Sequence, residues 1–200
     1  MFFIVSGCRD TRNPPTTSTN RWRRRATAAV LTACVALSLA GDGGCSCRGQ
    51  NPHLRNDLDA MKTADIQIKG HTFRVWLATT DTQRERGLMQ VPAEKLAPLP
   101  PDPATALPEG GERGMLFVFE TERLLGFWMY NTIIPLDIAY IRGDGTIITI
   151  ATMAPLETRT YPSIEPARMA LEVRSGLFQD LGIQAGDRVE IPADILKNTP

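Results

Sequence analysis

The chain has 200 residues and a formal net charge of zero, from 22 basic and 22 acidic side chains. That length allows one domain of ordinary size plus an extension, and the balance of charge gives the chain as a whole no preference for nucleic acid or an anionic surface. All four cysteines (Cys8, Cys34, Cys45, Cys47) lie near the N-terminus and the two histidines (His53, His71) fall on expected loops, which excludes a catalytic cysteine, a Cys-based zinc site or an iron–sulfur site from the rest of the chain and argues against a histidine dyad or metal triad in its centre.

Residues 1–25 form an extension that ends in a basic cluster, Arg21, Arg23, Arg24 and Arg25, followed by an apolar segment over 26–40. The apolar segment is shorter than the ~20 residues that span a bilayer comfortably. A basic region, a short apolar run and small residues at Ser38 and Ala40 read as a secretory signal. Lipidation at Cys45 is the rival reading, although Leu39-Ala40-Gly41 is followed by Asp42 rather than by the cysteine; an uncleaved anchor is the third. All three predict an exported domain, periplasmic or membrane-anchored and facing away from the cytoplasm. Residues 41–62 read as a linker, in which Cys45 and Cys47 have no partner pair for zinc.

The domain itself is expected over 63–195. Ile66 and Ile68, then Phe73, Val75 and Leu77, alternate around Lys69-Gly70-His71, which predicts a β-hairpin. Thr80 or Asp81 can cap a short helix that Gly87 ends. Residues 91–113 hold six prolines and two glycines, and predict a long exposed loop, a disordered insertion in preference to a lid. Met115–Phe119, Phe127–Tyr130, Leu136–Ile141, Thr146–Thr152 and Ala167–Val173 read as strands, with turns at 120–123 and 142–145. Ser175 is placed to cap a second short helix ending at Gly182, and a last strand closes at Ile191 before a polar tail. Hairpins dominate without repeated strand–helix alternation, so the expected class is α+β: a mainly antiparallel, barrel-like single domain with two short helices.

Arg84-x-x-Gly87-Leu88-Met89, Gly114-Met-Leu-Phe-Val-Phe119, Phe127-Trp-Met-x-Asn-Thr132, Ile134-Pro-Leu-Asp-Ile138 and Leu171-Glu-Val173 together resemble the DUF192 family, also called UPF0127, over roughly residues 65–191. The resemblance implies a compact α+β, barrel-like domain, often exported, with no established activity. The chain departs from the family pattern at Tyr130, where a lysine is usual, and at Val91, where an arginine is usual.

Asp137 lies between apolar residues on an expected strand, where period two turns it away from Leu136 and Ile138. A buried carboxylate needs a cation or several N–H donors, so Arg84 is the expected partner, either as an internal clamp or at the floor of a pocket. Arg84, Trp128, Asn131, Thr132 and Asp137 form the candidate ligand site, with plain structural duties as the competing account of each. Asp137 and Glu172 are the alternative acid and base of a carboxylate-based hydrolase on envelope glycans, which needs two acids at a defined separation. Met89, Met115, Met129, Met153 and Met169 are soft ligands in principle, but they lack ligand spacing and read as core filler. The expected function is therefore a non-catalytic binding or accessory domain at the envelope, without metal or cofactor. Its partner is an unknown small molecule or envelope component rather than nucleic acid, and it meets the membrane through the N-terminal segment alone.

Overall fold

The computed structural model describes residues 55–104 and 107–197; the signal or anchor segment, Cys45 and most of the linker lie outside the described residues. Nine strands form the frame: β1 (Thr63–Ile68), β2 (His71–Ala78), β3 (Glu112–Arg123), β4 (Gly126–Phe127), β5 (Leu136–Ile141), β6 (Ile147–Met153), β7 (Tyr161–Pro162), β8 (Ala167–Arg174) and β9 (Val189–Glu190). Seven of them make one sheet in the order β6-β5-β8-β3-β2-β1-β9, and β4 pairs with β7 in a separate ribbon. Every pairing is antiparallel except β2 with β3. The sheet curls until its two edges meet: the Val189 N–H donates to Gly145 O over 2.8 Å and the Ile147 N–H to Asp187 O over 2.9 Å. The domain is thus α+β with a barrel-like sheet, as the alternation of its strands predicts.

Period-two alternation sorts the strand residues onto two faces. The inner face takes side chains from all seven strands, including Ile66, Phe73, Leu116, Ile141, Leu171 and Val189, and is plugged by Leu177, Phe178 and Ile195. The outer face carries Trp76, Met115, Phe117, Ile138, Tyr140 and Ala170 and is covered by chain segments rather than by long helices, through Leu88, Val91, Leu96, Leu125 and Met129. Methionines divide between the faces, Met115, Met129 and Met153 outside and Met169 inside, as fillers of apolar space.

Local chemistry accounts for the short helices. In α1 (Asp81–Arg86) the Thr80 hydroxyl accepts from the Gln83 N–H while the Gln83 side chain accepts from the Thr80 N–H, a reciprocal cap. Gly87 ends it at φ +46°, and a Cβ there would stand 3.2 Å from the Phe117 ring. In α2 (Leu177–Asp180) the cap position falls to Gly176, at φ +83°, rather than to Ser175. A third helix, α3 (Ala193–Lys197), occupies the tail that reads as merely polar, because Ile195 finds cover in the inner cluster.

Three further expectations are corrected. Residues 91–113 are not a structureless insertion: a 3-10 turn at Ala93–Leu96 and bridges Leu99↔Gly111 and Asp102↔Leu107 organise the described part, and Val91, Leu96 and Leu107 are buried. Buried apolar side chains override the Pro and Gly content. The expected turn at 120–123 instead continues β3, whereas the expected strand at 127–130 keeps only Phe127 in the ribbon.

Candidate functional site

Asp137 and Glu172 stand on neighbouring strands but point to opposite faces. Asp137 is in register with Thr152 and Val173, on the inner side; Glu172 is in register with Met115 and Ile138, on the outer side. The two acids therefore share no cleft, and the acid–base pairing of a glycoside hydrolase is not formed.

The Asp137 carboxylate accepts from the Thr152 hydroxyl and from the Gly176 N–H, both over 2.8 Å. It ties β5 to β6 and to the turn that enters α2. Arg84 is not its partner, which corrects the expected clamp. The Arg84 guanidinium donates to Thr79 O and Val118 O, at 2.5 and 2.9 Å, and to the Asp81 carboxylate at 2.7 Å, and it lies 5.2 Å from the centre of the Phe119 ring. Its backbone acceptors fix α1 against β3, so the arginine works as a brace at the end of the sheet. Carbonyl oxygens suffice for it because a guanidinium carries five donors in a fixed fork.

Glu172 has the opposite environment. It is buried to 4% exposure, in register with Met115 and Ile138 beneath the outer cluster. Burial alone pushes its pKa up to about 8, because an unpaired charge is disfavoured where water is excluded. Tyr140 lies on the same face, donates to Tyr161 O over 2.6 Å, and has its own pKa raised by burial first and by the nearby Glu172 second.

The remaining candidates sit on the loop between β4 and β5, which is hydrogen-bonded to the loop between β6 and β7 to form a pair. Asn131 adopts φ +56°, and its carbonyl accepts from the Gln90 N–H over 3.0 Å. Thr132 is buried; its carbonyl accepts from the Leu156 N–H over 2.9 Å, and its N–H bonds Met129 O. Both are turn-makers, in keeping with their chemistry. Trp128 is exposed rather than core, with its ring 5.3 Å from that of Tyr130. Arg84, Trp128, Asn131, Thr132 and Asp137 therefore do not converge on one pocket: Arg84 bonds at the α1–β3 joint, Asp137 faces the inner side, and the other three belong to the loop pair.

Sequence reasoning passed over the loop pair as a unit. The six exposed large apolar side chains among the described residues, Leu124, Trp128, Tyr130, Ile133, Leu156 and Ile164, all lie on it. Leu156 and Ile164 also hold φ +61° and +66°, a region that costs a non-glycine residue of order 1–3 kcal/mol and is rarest for a β-branched one. The signal available in the sequence is the run Leu124 to Pro135, which contains no charged residue.

Glycines explain two of the quoted motifs. A Cβ on Gly114 would stand 2.7 Å from Glu172 O and 3.0 Å from a Val173 methyl, so β3 and β8 approach closely only with glycine there. Gly87, already described, does the same for α1 against Phe117. Together with the Arg84 brace, these are framework duties.

The family model of DUF192, described as uncharacterized, matches residues 64–191. The chain belongs to this family, whose members share the α+β barrel-like domain and have no established activity. No functionally curated protein matches the chain. Among solved structures, a proposed transcription regulator from Sinorhizobium meliloti is similar at 33% identity and a TM-score of 0.53, covering 65% of this chain and 94% of that one. A protein of unknown function from Novosphingobium aromaticivorans is similar at 31% identity and a TM-score of 0.55, covering 68% of this chain and 91% of that one.

Proposed function

We infer that this is a non-catalytic binding or accessory domain of the cell envelope, whose working surface is the loop pair 124–133 and 156–164. The observation that carries this reading is the gathering of six exposed apolar side chains, two of them at strained backbone, on loops that the rest of the fold holds firmly. Large exposed apolar groups cost solubility and mark surfaces that meet something else, and strain persists where the surroundings over-determine it. The envelope part of the reading rests on the basic cluster and apolar run that precede the domain. The partner is an envelope component or a small molecule.

A carboxylate-based hydrolase is not favoured, since Asp137 and Glu172 face opposite sides of the sheet. A fusion of the complete chain to alkaline phosphatase, which becomes active only outside the cytoplasm, tests the envelope reading. Active reporter in the envelope fraction, lost when Leu37→Arg interrupts the apolar run, is the expected result. Inactive, cytoplasmic reporter overturns it.

A further inference from the structure

We propose that the exposed aromatic end of the loop pair, formed by Trp128, Tyr130, Ile133 and Leu156, docks on a lipid bilayer surface and lays the domain against the membrane. The inference rests on the envelope reading and names the partner of that same surface.

Three observations favour lipid over another occupant. The first is composition: Trp128 and Tyr130 are packed ring to ring, and the segment around them has no charge from Leu124 to Pro135. Indole and phenol combine an apolar body with a polar tip, the chemistry suited to the boundary between headgroups and acyl chains. The second is backbone: the Leu156 N–H bonds Thr132 O over 2.9 Å, and the Met129 N–H bonds Glu157 O over 2.9 Å. These bonds set Leu156 beside the 129–133 turn, with φ +61° at Leu156 and φ +56° at Asn131. The apolar tips are thus presented in advance, with little ordering left to be done on contact.

The third observation is where the chain enters the domain. The Asn56 side chain donates to Gln83 O and Gly87 O, both at 3.0 Å, at the C-terminal end of α1. Three residues later the Gln90 N–H reaches Asn131 O, over 3.0 Å; three residues of chain span at most about 11 Å. The entry point and the aromatic patch therefore lie close together. Between the apolar run and the described domain, the stretch from Gly41 to Leu54 can extend to about 50 Å. In the anchored form of the envelope reading, in which the apolar run stays in the bilayer, a tether of this length raises the effective concentration of membrane at the patch, so four side chains can suffice as a second, weak contact beside the first.

Contact of this kind is apolar, so it should respond little to salt or to anionic lipid. The test uses the full chain on vesicles of phosphatidylcholine, with and without phosphatidylglycerol, whose acyl chains are brominated to quench nearby indoles. Because Trp22 and Trp76 also fluoresce, the wild type is compared with Trp128→Phe. The expected result is quenching that is mostly absent from Trp128→Phe, is unchanged between low and high salt, and weakens several-fold in a Tyr130→Ser/Ile133→Ser variant. Equal quenching of wild type and Trp128→Phe on vesicles to which both bind overturns the proposal. So does a dimer in solution that Trp128→Ser abolishes, which makes a second copy the occupant, or adsorption that salt removes. The envelope reading fails separately, on an inactive phosphatase fusion; an active fusion with an unquenched Trp128 sinks only the docking.

Discussion

The two faces of the sheet treat a carboxylate in opposite ways. On the inner face Asp137 receives a hydroxyl and an N–H, and its charge is an element of the structure. On the outer face Glu172, one strand away, receives neither and is held as the neutral acid up to a pKa of about 8. The strand pattern is the same; what differs is the cover. The inner face is sealed by helices and by the far side of the sheet, and there Asp137 finds its two donors, although on the same side Glu112 Oε2 is buried without a partner. The outer face is covered by loops, and what they lay over Glu172 is apolar: the outer cluster with Met115 and Ile138 beside it. A buried acid is thus a tie in one case and a cost in the other, and its position in the chain alone does not say which.

Asp137→Ala should break this comparison most severely. It removes two charge-assisted hydrogen bonds and strands the Gly176 N–H and Thr152 hydroxyl, for a loss of about 3–4 kcal/mol, read as a fall in the urea midpoint; an unchanged midpoint would refute the tie. Gly114→Ala should cost about 3 kcal/mol, since its Cβ meets a backbone oxygen that cannot swing aside. The melting temperature checks it.

Glu172→Gln should act in the other direction. In the unfolded chain the carboxyl ionises near its ordinary value of 4.5, and in the folded protein near 8. The folded state therefore binds more protons between those two values, and stability falls as pH rises through that window. The neutral glutamine removes the dependence and should stabilise by roughly 2 kcal/mol at pH 7, and by little at pH 4, relative to wild type. Chemical denaturation across that pH range decides it; a wild-type stability that rises between pH 5 and 8 while the variant's stays flat would show that Glu172 is paired.

Arg84→Met keeps the contact with Phe119 but loses the two carbonyl acceptors, for about 1–2 kcal/mol. Little of that loss comes from Asp81, whose side chain is almost fully exposed. Trp128→Ser should change stability by less than about 0.5 kcal/mol, because nothing in the core rests on it. A large loss there would return the tryptophan to the framework and remove it from the working surface.

Much of the frame was legible in the sequence because periodicity and caps are local. The face of Asp137 follows from its alternation with Leu136 and Ile138, and the start of α1 from Thr80 and the glutamine three residues on. What was not legible depends on residues far apart in the chain. The partners of Asp137 come from positions 152 and 176, whereas Arg84, the nearest plausible cation by chemistry, is occupied elsewhere. The parallel pairing of β2 with β3 spans the Pro-rich stretch, where composition hid the burial of Val91, Leu96 and Leu107. The exposure of Trp128 was hidden by its apolar neighbours, of which Phe127 and Met129 turn inward, toward Phe117 and the outer cluster.

The joint at Gly145 and Val189 has one more consequence. By pairing β9 with the end of β1 and fastening it to the turn before β6, the fold closes its main sheet at one corner, from Gln67 and Ile68 through Val189 to Gly145 and Ile147. The contacts that make this joint are separated by over a hundred residues of sequence, from Ile68 to Val189. Such long-range closure is slow. The joint is therefore expected to form late in folding, after the local hairpins β1–β2 and β5–β6.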